Sequence, residues 1–198
     1  MRCNTLTQPQ EIMNPPPVYI PIDQDRIDQF TELAAKTGAR IHVIRQVPVD
    51  QGCDWNTAIS LVGPHTPFNH CIREVRVGCQ YQCVSSRKEE TDIVLLNYCQ
   101  VKGSFNRSID WCKDAGLNAA NPREVFAIGH QRPNLDRIIG QDLIYLAAPV
   151  KCSFNRYDCA CFVWWIHQEL GVSLDRVVEF SDPYVWFAFR EPRTKPVR

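Results

Sequence analysis

"NRYDCACFVWWIHQELGV" (residues 155–172) is the stretch whose reading decides the fold. Phe162, Val163, Ile166 and Leu170 recur at helical spacing and predict one buried helix that stops at Gly171. Asp158 is placed to cap it, which puts Cys159 in the first turn, on the same apolar stripe. Unpaired backbone N–H groups and the positive end of the helix dipole gather there, and both favour a thiolate. Cys161, two residues on, is turned about 200° away on a helix of 3.6 residues per turn. It falls beside Trp164, Trp165 and Gln168 and reads as a small packing residue. Packing is equally the plain reading of Cys159, since cysteine is among the most buried residue types.

Upstream, "DQDRIDQFTELAAKTG" predicts a helix capped by Asp23 and stopped at Gly38. Strands are expected at 40–47, 57–62, 71–77 and 92–99, as short β-branched runs between polar loops. Helices are expected at 108–116, after Asn121-Pro122 with Glu124 completing a capping box, and over 134–149. The run "YVWFAF" (184–189) predicts a strand at the edge of the sheet or closing it. Helix, several strands, helices, strand is the order of an α+β fold with an antiparallel sheet. The expected organisation is an extended N-terminal segment at 1–22, one α+β domain at 23–192 and a basic tail at 193–198. The tetrapeptide "SFNR" occurs at 104–107 and again at 153–156, each time leading to a cysteine, which makes Cys112 a minor rival to Cys159.

Lys plus Arg and Asp plus Glu are equal at 22 each, so the formal net charge is zero. A nucleic-acid partner is therefore not expected, because such proteins carry a basic excess. No apolar run approaches the roughly 20 residues of a membrane helix, and the N-terminus has no apolar signal core. Ten cysteines without a secretory signal read as reduced thiols, with the cytoplasm as the expected compartment.

The segment Asp158-Cys159-Ala160-Cys161-Phe162-Val163 resembles the nucleophile box of the NlpC-type papain-like thiol enzymes, and equally that of their lecithin:retinol acyltransferase-like branch. Asp158 stands where the latter has Asn. The resemblance covers residues 155–172 and, loosely, 57–83. It implies a circularly permuted papain-like fold, with a sheet packed on the helix that carries the nucleophile and a histidine upstream of it. His167 cannot serve Cys159, since eight residues of helix span about 12 Å. Of the upstream histidines, His70 opens an expected strand after a turn, as the permuted branch requires; His65, His42 and His130 are alternatives. Gln82, or Gln80, would orient the imidazole.

The implied chemistry is attack by Cys159 on an amide, ester or thioester, with His70 as base and then acid and a peptide, amide or acyl-group substrate. No cofactor is expected. Cys79 and Cys83 have the spacing of a zinc pair, but Cys159 and Cys161 are too close to be the second, so no metal is expected either. The other reading is a non-catalytic binding or assembly protein, with the aromatic run around Trp186 and Phe187 as its partner surface. Nothing in the sequence indicates an oligomeric state.

Overall fold

The computed structural model describes residues 19–63, 72, 88–99, 105–167, 169–177, 180 and 182–192. The chain is α+β, with five helices among these residues and a large, mostly antiparallel sheet. In chain order the elements are α1 (Gln24–Lys36), β1 (Ala39–Asp50), α2 (Trp55–Val62), β2 (Lys88–Tyr98), α3 (Phe105–Asp114) and β3 (Asn118–Ala119). Then follow α4 (Pro122–Gln131), α5 (Leu135–Ile139), β4 (Leu143–Ala147), β5 (Cys152–Phe154), β6 (Tyr157–Ile166), β7 (Glu169–Arg176) and β8 (Val185–Arg190).

The sheet runs β1-β2-β8-β4-β6, with β5 and β7 also paired to β6 and β3 paired to β8. Among the described strands only β4 and β8 pair in parallel. One face carries Ile44, Leu95, Ile144, Val163, Trp165 and Trp186, packed with residues of α2 and α4 such as Ile59 and Phe126. The other carries Val94, Leu96, Phe162, Phe187 and Phe189, packed with Phe30 of α1 and Phe105 and Trp111 of α3. Both faces being covered explains why Cys159 to Trp165 are buried without interruption.

That uninterrupted burial corrects the decisive expectation. The described residues of 155–172 form no helix. Asn155 and Arg156 make a left-handed turn, with φ of 49° and 71°, that joins β5 to β6. β6 then returns as β7 through a second turn at His167, also left-handed at φ 49°. Contiguous Cys-Phe-Val-Trp-Trp-Ile is β-branched and aromatic, and it suits a strand buried on both sides.

Two further segments change type. Residues 57–62, expected as a strand, belong to helix α2, which starts earlier, at the Asp54 cap, whose carboxylate accepts from the Thr57 amide. Residues 134–149, expected as one helix, divide at Gly140, whose φ of 76° ends α5 and lets the chain enter β4. Other expectations hold: α1 with its Asp23 cap, β1, β2, α3, and the full Asn121–Glu124 capping box of α4. The run 184–189 is a strand as expected, but β8 lies in the interior of the sheet between β2 and β4, not at its edge. The strand expected at 71–77 and the basic tail lie outside the described residues, apart from Ile72, which is buried and helical rather than extended.

Asp92 on β2 secures a bulge in β1 and the approach to α1. Its carboxylate accepts from the Tyr19 hydroxyl (2.5 Å), the Ile22 amide (2.9 Å), the Gln46 amide (2.9 Å) and Arg45 Nη1 (2.6 Å). Arg45 Nη1 also donates to the Ile22 carbonyl. Gln46 sits in the left-handed region at φ 51°, where the β1–β2 register slips between Ile44 and Val47.

Candidate functional site

Cys159 stands near the start of β6, directly opposite Cys152 of β5 on one side and Arg176 of β7 on the other. It is 5% exposed. Burial pushes its thiol up from the ordinary cysteine value, and the neighbouring Cys152 and Asp175 push the same way. No helix begins at Cys159, so the dipole and open N–H groups expected to hold a thiolate are not there. Cys161 is also corrected: on a strand, residues two apart share a face, so Cys159 and Cys161 both enter the same apolar cluster. Cys112, the rival, is buried in α3, where burial raises its thiol to about 11.

His70 and Gln82 lie outside the described residues, as do His65, Gln80, Cys71, Cys79 and Cys83. The three described histidines lie away from Cys159. His42 is on β1, separated from β6 by β2, β8 and β4; four inter-strand steps amount to about 19 Å. His167 is at the far end of β6. His130 bonds the Leu61 carbonyl through Nδ1 at 2.7 Å. Its neighbour Gly129 packs on Val163, four residues and roughly 13 Å of strand from Cys159. Among the described residues no group of three or more His, Cys, Asp or Glu is arranged to hold a metal ion.

The opposite face of β6 offers a different arrangement. An open hollow of about 280 Å³ is lined by Tyr145 of β4, Phe162, Trp164 and Ile166 of β6, and Glu169 and Ser173 of β7. Every wall is a strand residue. Alternation along β6 and β7 delivers these side chains to one face, and Asp175 follows Ser173 on it. Tyr145 packs on Phe162 with ring centroids 5.2 Å apart, and edge-on against Tyr184 at 4.9 Å. Phe180 closes on Phe162 from the side at 5.5 Å.

Carboxylates surround this aromatic floor. Glu169 and Asp175 are exposed, and Asp182 accepts the Tyr184 hydroxyl at 2.7 Å. That hydrogen bond, with burial, raises the Tyr184 hydroxyl to about 12. Burial raises the Tyr145 hydroxyl too, assisted by Asp175 and Asp182. Both rings therefore stay neutral at ordinary pH, and the local field is negative. A cation over such ring faces is attracted by the π quadrupole as well as by the carboxylates.

The sequence reading missed this hollow because its helix scattered Phe162, Trp164, Ile166, Glu169 and Ser173 around an axis. Period-two alternation, once the strand is recognised, is the signal that collects them. Trp186 and Phe187, expected as a partner surface, are each 1% exposed and belong to the core. Compared with known proteins, the chain matches no protein family, no curated protein and no solved structure.

Proposed function

We propose that the protein is a non-catalytic binding module, and that the hollow over β4, β6 and β7 receives the head of a small alkylammonium ligand. The observation that carries this reading is the joining of an aromatic floor, Tyr145, Phe162 and Trp164, to a carboxylate rim of Glu169, Asp175 and Asp182. An alkylated ammonium is weakly hydrated, so it loses little on leaving water for ring faces while the rim supplies the counter-charge. A volume of about 280 Å³ suits such a headgroup better than a long side chain or a nucleotide.

The test is a titration followed by amide and indole NMR, with choline against its neutral carbon isostere, 3,3-dimethylbutan-1-ol. Choline should shift the Trp164 indole and the Gly171 and Ser173 amides, and bind about two- to fivefold tighter than the isostere, the factor expected of one exposed cation–π contact. Equal affinities remove the cationic specificity. No perturbation of Trp164 by either probe removes the hollow as a binding site.

The papain-like thiol enzyme implied by the resemblance at 158–163 predicts a reactive Cys159. Its support came from a helix start, and Cys159 is on a buried strand with a raised thiol. Labelling with iodoacetamide at pH 6, mapped by mass spectrometry, separates the two readings. The binding reading expects Cys159 to react no faster than Cys152, its partner in the same hairpin; modification of Cys159 far ahead of every other cysteine restores the catalytic one.

A further inference from the structure

The structure assigns a modification site to the other face of β6. We propose that Cys152 and Cys159 form a cross-strand dithiol which a small-molecule disulfide, such as oxidised glutathione, converts to an intramolecular disulfide. This does not depend on the binding role of the hollow, which lies across the sheet.

The register carries the argument. β5 and β6 are joined by the two-residue turn Asn155-Arg156, and the ladder runs Phe154 to Tyr157, Ser153 to Asp158 and Cys152 to Cys159. Residues opposed in an antiparallel ladder have Cα atoms about 4.5 or 5.5 Å apart, depending on whether the pair exchanges hydrogen bonds. Both values fall in the window of about 4.4–6.8 Å that a disulfide spans. Opposed side chains share a face, and Cys152 and Cys159 do enter the same cluster. Both are thiols in the structure. Cys161 has Leu174 opposite it on β7, and its carbonyl accepts the Ala148 amide on the other side, so no cysteine is opposed to it in the ladder.

Access comes through the hairpin tip. The two sulfur-bearing residues are 3% and 5% exposed, but β5 is held to β6 by three residue pairs only, and a short terminal hairpin opens locally at small cost. In the first step one protein thiolate attacks a sulfur of oxidised glutathione, forming a mixed disulfide and releasing one glutathione thiolate. The second protein thiolate then attacks the protein sulfur of that mixed disulfide, forming the Cys152–Cys159 bond and releasing the second glutathione. In sum, two protein thiols lose two electrons and two protons, and one glutathione disulfide gains them as two thiols. Arg176, opposite Cys159, favours its thiolate; burial opposes it, so the reaction should quicken as pH rises.

The experiment treats the full-length folded chain with oxidised glutathione at pH 8. Acid quenching, alkylation with N-ethylmaleimide and peptide mapping then follow, with a urea-unfolded sample in parallel. The expected result is a Cys152–Cys159 linked peptide, two hydrogens lighter than its reduced parts, as the dominant linkage in the folded chain and a minor one in urea. In Cys152→Ser, Cys159 should retain glutathione as a stable mixed disulfide, because the resolving thiol is gone. Either of two results overturns the proposal. One is linkage of Cys159 to a different cysteine in the folded chain. The other is a Cys152–Cys159 yield no greater folded than unfolded. Near-ultraviolet circular dichroism confirms that the Cys152→Ser chain is folded before its adduct is read.

Discussion

Trp164 and Gly171 face each other across the β6–β7 ladder, and the indole occupies the space a side chain at 171 would need. A β-carbon built on Gly171 lies 2.3 Å from Trp164 Cζ2 and 2.5 Å from Cε2. The glycine is required by its neighbour, as when an aromatic ring covers a bare strand position. Gly171→Ala should displace the ring, costing about 1–3 kcal/mol of stability as overpacking does. It should also disturb the hollow that Trp164 lines. Urea unfolding monitored by tryptophan fluorescence measures the first effect, and the choline titration measures the second. An unchanged midpoint shows that the ring is free to move aside.

The turn that replaces the expected helix start carries its own test. Asn155 and Arg156 both lie in the left-handed region, where asparagine is tolerated and arginine is strained. Arg156→Gly creates the Asn-Gly pair that such hairpins prefer and should stabilise the fold by about 0.5–1 kcal/mol. Loss of stability in a denaturant titration would show that the arginine side chain compensates its backbone.

The cap of α4 is the third. Asn121 accepts the Glu124 amide at 3.1 Å, while the Glu124 carboxylate accepts the Asn121 amide at 2.6 Å. Asn121 also donates to Gln51 at 3.1 Å, and fully buried Glu124 faces Arg190 at 3.0 Å. Asn121→Ala should cost about 1–2 kcal/mol, the upper part of the range for caps, because the Gln51 bond goes with it. Thermal unfolding by calorimetry reads this directly. Asn121→Ser, which keeps an acceptor, should recover most of the loss.

The α4 cap was legible because it is local: Asn-Pro-x-Glu states its geometry in four residues. So was α1, whose cap and amphipathic face coincide. The central hairpin was not, since a strand buried on both faces has no alternation to display, and any long apolar run contains a helical stripe. Helix α2 was lost for the opposite reason. Its period runs Trp55, Ala58, Ile59, Val62, and starting at Thr57 left too few residues to show it. The hollow depends on which residues of β4, β6 and β7 are neighbours, and that register is a property of long-range pairing.

Asp92 gives a prediction in pH. The residue is 3% exposed, and burial alone pushes its pKa up. The hydrogen bonds from Tyr19, the Gln46 and Ile22 amides and Arg45 outweigh that, so the carboxyl is held below the usual aspartate value. A depressed folded-state pKa means that the unfolded chain takes up the proton first as pH falls. The stability Asp92 contributes is therefore fully present above the unfolded value of about 3.9. It declines as pH drops from there through the lower folded value. Asp92→Asn keeps one acceptor but aims an amide N–H₂ at donors, so it should cost about 2–3 kcal/mol at pH 7. It should also remove part of the acid dependence, so that wild type and variant converge as pH falls below 4. Urea midpoints of the two chains between pH 2.5 and 7 test this. A difference that stays constant over that range shows that Asp92 takes up its proton at the same pH in the folded and unfolded chains, and that its network acts through geometry and not through charge.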